Sequence, residues 1–328
     1  MENTNITSEE LEKSVEIVNK ITEYYYDKMV GQRRLGMSLL VTIISNGHLL
    51  IESVPGLAKT TAAKTMTEAV NGTFSRVQCT PDLLPSDIIG TQIFNYSNNT
   101  FETKLGPVYA NFVLLDEINR SSAKTQSAML ETMQEHQATI GGENFKMPNV
   151  FNVIATQNPI EQEGTYILSE AQLDRFLLKE KLDYPTVDDE LEILNRVEKD
   201  VFSTGSSVVE IKDVEYLQEI AKKVYIDEAV KRYIVTIINA TRHPERFMSK
   251  ELAQYVVLGA STRGGIALME VAKAVALLNG RGYVTPDDVK QLAHSVLRHR
   301  ISLNYAAMAD GVTEERIIDA ILGAVQTP

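Results

Sequence analysis

The feature that most constrains this chain is a series of short apolar runs separated by polar or helical sequence. The runs read HLLIES, FSRVQC, NFVLLDE and VFNVIATQ, and all lie between residues 48 and 157. Short strands that alternate with helices are typical of parallel βαβ units, because a parallel neighbour needs a long crossover connection. We therefore expect an α/β fold with a parallel sheet over this part of the chain.

Helix signals surround these strands. Thr7-Ser8-Glu9-Glu10 forms a capping-box pattern and predicts a helix that runs to about Tyr26. Further helices are expected over residues 33–45 and from about 59 to 71. Beyond Pro185 nearly all of the sequence has amphipathic helical patterns, so we place a domain boundary between residues 1–186 and 187–328.

Two other segments alternate as hairpins do. The first spans about residues 91–104, and its turn is expected at Ser97-Asn98-Asn99. The second spans about residues 138–148, and its turn is expected at Gly141-Gly142-Glu143-Asn144. Both segments are therefore expected to be hairpins and not strands of the parallel sheet.

Composition narrows the function classes. The net charge of −12 over 328 residues argues against a broad nucleic-acid footprint. A single cysteine, Cys79, rules out a disulfide framework, and the five histidines are too scattered to indicate a transition-metal site. No signal peptide and no membrane-spanning run is apparent, so we expect a cytoplasmic protein without membrane insertion.

The loop SVPGLAKT, residues 53–60, follows the first strand and precedes a helix. It resembles the phosphate-loop pattern G-x-x-x-x-G-K-[ST], but Ser53 and Ala58 occupy the two glycine positions. Lys59 and Thr60 would present an ammonium and a hydroxyl to a triphosphate and its magnesium. We expect Ala58 to be right-handed, whereas a positive φ at Ser53 would cost about 1 kcal/mol. The alternative is an ordinary Lys-Thr helix start.

A pair of acids supports nucleotide chemistry. Asp116 and Glu117 end the apolar run Phe112–Leu115, at the strand end where open α/β sheets bind ligands. Asp116 would hold magnesium through water, and Glu117 would act as the general base on water. The alternative is a helix start capped by acids. Together with the loop lysine, the pair favours nucleotide hydrolysis.

Three further residues are candidates, each with an ordinary alternative. Asn158 follows a buried strand and could orient water, although Asn-Pro is also a common turn. Arg175 could reach the phosphate of a neighbouring subunit, or could pair locally with Asp174 or Glu170. Arg263 could face the nucleotide from a lid helix, or could lie on the surface.

The sequence resembles the MoxR family of AAA+ ATPases from about Val30 to the C-terminus. The segments that carry the resemblance are ESVPGLAKT, CTPDLLPSDIIGTQIF, GPVYANFVLLDEINRSSAKTQSAMLETMQE, ATQNPIEQEGTYILSEAQLDRFLLK and GRGYVTPDDVKQLAHSVLRHRI. The family typically reads G-V-P-G-L-A-K-T, so Ala58 fits the family and Ser53 departs from it. Thr262 replaces a usual proline before Arg263, which removes a preset helix start.

The resemblance implies a role for each candidate, with ATP and Mg²⁺ as cofactors. Lys59 and Thr60 become the Walker A pair, Asp116 and Glu117 become Walker B, and magnesium is held by Thr60 and Asp116. Asn158 becomes sensor 1, Arg175 the arginine finger and Arg263 sensor 2, while Arg120 is a second candidate for a contact between subunits. The remaining nucleotide contacts would come from Gln32, beside adenine, and from Ser53, Val54, Pro55, Gly56, Leu57, Ala58 and Thr61.

The resemblance also implies a three-layer αβα P-loop core, a C-terminal all-α lid and a ring, usually a hexamer. Relatives act as chaperone-like ATPases that assemble or activate client proteins, some by inserting metal cofactors, often with a von Willebrand factor A partner. Phe94, Tyr96, Phe101 and Phe145 of the hairpins would face the pore or the client, unless they pack against their own core. The alternatives are a nucleotide-dependent binding switch with little turnover and a DNA-directed motor.

Overall fold

The computed structural model describes residues 6–159, 165–198 and 206–328. Their contacts form two compact units. The sheet unit comprises the described residues within 19–176 and 180–215, and the helical unit comprises those up to 18, 177–179 and 216–328. Residues 160–164, in the segment ATQNPIEQEGTY that carries the resemblance, lie outside the described residues. The domain boundary at 186/187 stays a prediction.

The elements of both units are numbered together in chain order. The helices are α1 Ser8–Lys28, α2 Arg33–Ile44, α3 Lys59–Ala69, α4 Pro85–Ile89, α5 Ala123–Glu135, α6 Glu170–Leu173, α7 Val187–Glu198, α8 Ile211–Lys223, α9 Glu228–Arg242, α10 Lys250–Ala253, α11 Thr262–Leu278, α12 Pro286–Gln291, α13 Ala293–Leu297, α14 Tyr305–Ala309 and α15 Glu314–Ala324. The strands are β1 Leu49–Glu52, β2 Phe74–Gln78, β3 Gly90–Asn95, β4 Thr100–Leu105, β5 Phe112–Asp116, β6 Gln137–Ile140, β7 Glu143–Lys146, β8 Asn152–Gln157, β9 Leu178–Lys181, β10 Val256–Leu258 and β11 Ser302–Leu303.

The central sheet has five strands in the order β2-β5-β8-β1-β9. The pairs β2–β5, β5–β8 and β1–β8 are parallel, which confirms the predicted parallel βαβ organisation. Their carboxyl ends therefore lie along one edge of the sheet. That edge carries the polar residues that the sequence analysis selected.

Helices cover both faces of this sheet, because alternate strand residues point to opposite sides. Val113 of β5 and Val153 of β8 pack in one apolar cluster with Met129 of α5. On the other face, the Asn152 amide donates hydrogen bonds to carbonyl oxygens of Thr42 and Gly47, at and just beyond the end of α2. The predicted three-layer αβα core is confirmed.

Local signals set the helix ends close to the predicted positions. The capping box at the start of α1 is present, since Thr7 N–H donates to a Glu10 carboxylate oxygen at 2.9 Å and Glu10 N–H donates to Thr7 Oγ1 at 3.1 Å. Helix α1 continues to Lys28, two residues beyond the expected end. Helix α3 begins at Lys59 as predicted and ends at Ala69, two residues early.

Both predicted hairpins form. Strands β3 and β4 pair antiparallel, as do β6 and β7. The second turn is shorter than expected, because Glu143 and Asn144 belong to β7 and only Gly141 and Gly142 form the turn. Both glycines have positive φ, 60° and 89°, as a two-residue type I′ turn requires. The expected four-residue turn was therefore wrong by two residues.

Two of the four hairpin aromatics are exposed and two are half-buried. Phe94 contacts the rings of Tyr96 and Phe101 edge-on, with centroids 5.1 Å apart in each pair. The side chains of Tyr96 and Phe101 are 88% and 67% exposed. Phe94 and Phe145 are half-buried. Packing against their own core, the alternative considered from the sequence, is therefore wrong for Tyr96 and Phe101.

The helical unit has an apolar core of its own. Helices α9, α11, α13 and α15 each contribute fully buried side chains, among them Ile237, Leu268, Val296 and Ile317. The segment GRGYVTPDDV is held by a partly buried ion pair, in which Arg281 donates hydrogen bonds to both carboxylate oxygens of Asp288. None of the helices in the described part of the chain has the length and apolarity that crossing a bilayer requires.

Candidate nucleotide-binding site

The loop from Ser53 to Ala58 joins β1 to α3. Gly56 has φ +85°, and a Cβ there would meet no atom within 4 Å, so the loop is open at this point. Ala58 also has a left-handed backbone, with φ 52° and ψ 25°. The expectation of a right-handed Ala58 is wrong, because the chain enters α3 through a left-handed residue at this position.

Ser53 is free of the strain that the sequence suggested. It is not among the described non-glycine residues with positive φ. Its side chain is buried, and its backbone N–H donates to the Gln157 carbonyl at 3.1 Å, so it extends the pairing of β1 with β8. The left-handed non-glycine residue of the loop is therefore Ala58, and the substitution at Ser53 needs no unusual backbone conformation.

Lys59 lies folded over the loop that precedes it. Its ammonium is 3.4 Å from the Ser53 carbonyl oxygen and 3.3 Å from that of Val54. Partial burial lowers the pKa of the Lys59 ammonium, while the negative charges of Asp116 and Glu117 raise it in part. The loop lysine and the two acids, far apart in sequence, thus act on each other in the fold.

Asp116 ends β5 and is mostly buried. One of its carboxylate oxygens, Oδ1, accepts a hydrogen bond of 2.7 Å from the Thr156 hydroxyl at the end of β8. The other, Oδ2, accepts one of 2.6 Å from the Arg76 guanidinium on β2. Neighbouring strands on both sides of β5 therefore fix the orientation of this carboxylate.

Glu117 is the first residue beyond β5 and has a left-handed backbone, with φ 58° and ψ 52°. Its N–H donates to the Thr156 hydroxyl at 2.8 Å, so one hydroxyl connects the two acids. Its carboxylate accepts from the Gln78 amide at 3.1 Å and pairs with Arg120 at 3.1 Å. The carboxylate caps no helix, although Glu117 precedes a short 3₁₀ turn. The alternative reading of these acids as helix caps does not hold for Glu117.

The other candidates occupy separate places. Asn158 directly follows β8 and is buried, between the strand that leads to the loop and the strand that ends in the acids. Arg175 follows α6, and its Nε is buried without a hydrogen-bond partner among the described residues. Gln32 precedes α2 with a left-handed backbone, and its amide lies 3.4 Å from the Asp183 carbonyl oxygen.

Arg263 belongs to the helical unit, in the first turn of α11. Its N–H donates to the Ser261 hydroxyl at 3.1 Å, so serine caps the helix and defines its start without the proline that the family usually has before the arginine. The helix start that the loss of proline called into question is therefore present.

The residues at the sheet edge fit magnesium bound together with a nucleotide. No group of three His, Cys, Asp or Glu side chains suited to a metal occurs in the described part of the chain. Mg²⁺ usually keeps several waters and binds one or two protein oxygens plus substrate phosphates. Thr60 and Asp116 can supply those protein oxygens, and Gly56 and the start of α3 leave backbone N–H groups for phosphates.

Comparisons with known proteins agree with this geometry. Residues 48–178 match the family described as "ATPase family associated with various cellular activities (AAA)", and residues 249–321 match the "AAA lid domain". Chaperone MoxR1 of Mycobacterium tuberculosis is 47% identical over 306 residues, which are 92% of this chain and 79% of that protein. This chain belongs to the MoxR family of AAA+ ATPases.

Two further proteins match this MoxR-family chain over nearly its whole length. Uncharacterized protein YeaC of Bacillus subtilis is 43% identical over 320 residues, which are 97% of this chain and 95% of that protein. A protein from Cytophaga hutchinsonii, whose crystal structure is known, is 46% identical in sequence to this chain. The two structures match with a TM-score of 0.90, and the match covers 97% of each chain. The predicted family, AAA+ core and C-terminal helical lid are confirmed.

Sequence reasoning missed three residues that hold the acids of this MoxR-family site. Arg76 and Gln78 lie on β2 and contact Asp116 and Glu117, and the Thr156 hydroxyl contacts both. One signal was available, since polar residues at alternate positions of FSRVQC place Arg76 and Gln78 on one face of the strand. The sequence could not show that β2 lies directly beside β5 in the sheet.

Proposed function

We propose that this MoxR-family protein binds ATP with Mg²⁺ and hydrolyses it to ADP and phosphate. The observation that carries the proposal is the pair of carboxylates at the end of β5. Asp116 and Glu117 are connected through the Thr156 hydroxyl, and their charges act on the ammonium of Lys59. A lysine at a helix start and two acids at the sheet edge where neighbouring strands end are the residue types that nucleoside triphosphate hydrolysis needs.

The roles follow from the chemistry of each side chain. Lys59 and the N–H groups of the loop and the first turn of α3, up to Thr61, bind the phosphates, because both present positive charge to an anion. Glu117 takes a proton from the attacking water, and Asn158 orients that water. Gln32 lies against the adenine.

Magnesium, when bound, would offset the negative charge of the phosphates. Thr60 and Asp116 would hold it, Asp116 through water, because hydroxyl and carboxylate oxygens suit this hard cation. Arg263 would approach the γ-phosphate from the helical lid.

We propose further that the active form is a homo-oligomeric ring, usually a hexamer, in which Arg175 of one subunit completes the site of the next. One feature supports a role for Arg175: its Nε is buried without a hydrogen-bond partner among the described residues. An arginine supplied by a neighbour would stabilise charge on the transferred phosphoryl group.

We propose that this ring remodels or activates client proteins, including by insertion of metal cofactors, and that a von Willebrand factor A protein is its partner. The name of the M. tuberculosis relative, Chaperone MoxR1, supports a client-directed role. So do the exposed aromatics of the first hairpin, Tyr96 and Phe101, which offer apolar contacts at its surface. The Gln92 side chain on this hairpin lies against Gly141 of the second hairpin, so the two would move together.

The substitution Glu117→Gln tests the assignment of the base. It removes the proton acceptor and keeps the size of the side chain, so we expect turnover to fall at least about 100-fold. ATP binding, measured with a fluorescent analogue, is expected to persist. Glu131→Gln, on the exposed side of α5, is the matched control and should leave both quantities unchanged. Turnover that survives in Glu117→Gln would show that another group activates water.

A further inference from the structure

Arg76 forms an ion pair with Asp116, the carboxylate that would hold magnesium in the proposed function. Its guanidinium donates a 2.6 Å hydrogen bond to Asp116 Oδ2, while the Thr156 hydroxyl occupies Oδ1. Charge-assisted hydrogen bonds of this length are among the stronger ones in proteins. Each oxygen of Asp116 is therefore bonded to a protein donor in this structure.

In the ion pair between Arg76 and Asp116, the arginine side chain can move into solvent, whereas the aspartate side chain is held in place. The Asp116 side chain is 13% exposed and is also held by Thr156, whereas the Arg76 side chain is 50% exposed. Strand β2 is an edge strand of the sheet, so a solvent-facing side chain on it can move without disturbing a second neighbour. Besides Asp116, the guanidinium has a longer hydrogen bond of 3.3 Å to Gln78 Oε1.

We propose that Arg76 is a positioning residue that holds the Asp116 carboxylate and competes with Mg²⁺ for it. A metal-bound water that donates to Asp116 Oδ2 would need part of the space that the guanidinium occupies. Mg²⁺ binding therefore releases Arg76 into solvent. This inference rests on the proposed function, because it assumes that nucleotide and Mg²⁺ bind beside Asp116.

The competition has two opposite consequences for nucleotide binding. Without metal, Arg76 neutralises Asp116, so the phosphates meet less negative charge. With metal, the bond between Arg76 and Asp116 must be broken first. Removing the guanidinium should therefore weaken nucleotide binding in the absence of Mg²⁺ and strengthen it in the presence of Mg²⁺, because no ion pair then has to be broken. A residue that served only to support the fold, or one that bound the phosphates directly, would weaken binding under both conditions.

The test compares the nucleotide Kd in EDTA with the Kd in saturating Mg²⁺, using a fluorescent ATP analogue that is hydrolysed slowly. We expect the Kd in EDTA divided by the Kd in Mg²⁺ to rise about fivefold in Arg76→Ala. This is the size of effect expected from the loss of a half-exposed ion pair. Arg76→Lys keeps the positive charge and should stay within about twofold of wild type. Arg232→Ala, which removes an exposed arginine paired with Glu228 on α9, is the matched control and should not change the ratio.

The outcomes separate this inference from the function on which it rests. An unchanged ratio in Arg76→Ala, or equal weakening with and without Mg²⁺, would overturn the role of Arg76 and leave nucleotide binding standing. Wild-type protein that binds no nucleotide under either condition would contradict both proposals. A shifted ratio together with absent hydrolysis would support Arg76 and contradict only the turnover.

Discussion

Three residues of the candidate site, Gln32, Ala58 and Glu117, have left-handed backbones although none is glycine. Left-handed conformations cost an L-residue about 1–2 kcal/mol, and such strain collects at functional sites. The sequence analysis selected these positions as candidate site residues, but it did not predict their left-handed backbones. The φ angle at the end of a loop depends on how the strand and helix on either side are placed, and the sequence alone does not give that placement.

Glycine substitutions at the two departures from the phosphate-loop pattern should behave differently. Ala58→Gly removes left-handed strain and is expected to stabilise the fold by about 0.5–1 kcal/mol. Ser53→Gly removes no such strain and adds freedom to the unfolded chain, so it should be neutral or destabilising by a similar amount. Urea unfolding of both variants measures the difference. Stabilisation by Ser53→Gly and not by Ala58→Gly would contradict the assignment of strain to Ala58.

At the scale of elements, the strand ends explain how much of the site could be read from the sequence. The apolar runs of β1, β5 and β8 are short and end in polar residues, and a parallel sheet brings such ends to one edge. Asp116, at the end of β5, and Asn158, just beyond β8, were therefore predictable at the same edge of the sheet. Arg76 and Gln78 were not, because only strand order and register place them beside the acids.

A buried histidine connects three elements on the opposite edge of the same sheet. The His48 ring, just before β1, accepts a hydrogen bond from Val153 N–H of β8 and lies 3.1 Å from the Met133 carbonyl oxygen of α5. Burial lowers the pKa of His48 to about 4, and the nearby His136 contributes in the same direction. The neutral ring is therefore part of the folded structure.

This histidine should make stability depend on pH. Below about pH 6.5 the unfolded chain binds a proton at His48 that the folded chain rejects, so stability falls as the pH drops from about 6.5 toward 4. At pH 5 the expected loss is about 2 kcal/mol relative to pH 7.5. Urea unfolding at both pH values should show this loss in wild type and a smaller one in His48→Gln. The exposed His243→Gln should match wild type, and equal losses in all three proteins would contradict the role of His48.

At the scale of the whole molecule, the chain combines a sheet unit that carries the loop and acids with a helical unit that carries Arg263. The switch from alternating strands and helices to helices alone predicted the two classes of structure. It could not predict which segments join which unit: part of α1 belongs to the helical unit, and the described residues of 187–215 belong to the sheet unit. Long-range contacts decide that membership, and no local pattern records them.

The measurement that tests the account most directly is ATPase rate against protein concentration, for wild type beside Arg175→Ala. A ring with a shared site predicts a specific activity that rises steeply with concentration in wild type. Loss of the arginine should lower the rate about 1000-fold, while Arg232→Ala retains it. A low rate that is flat with concentration and unaffected by Arg175→Ala, with ATP still bound tightly, would contradict the account and indicate a nucleotide-dependent switch.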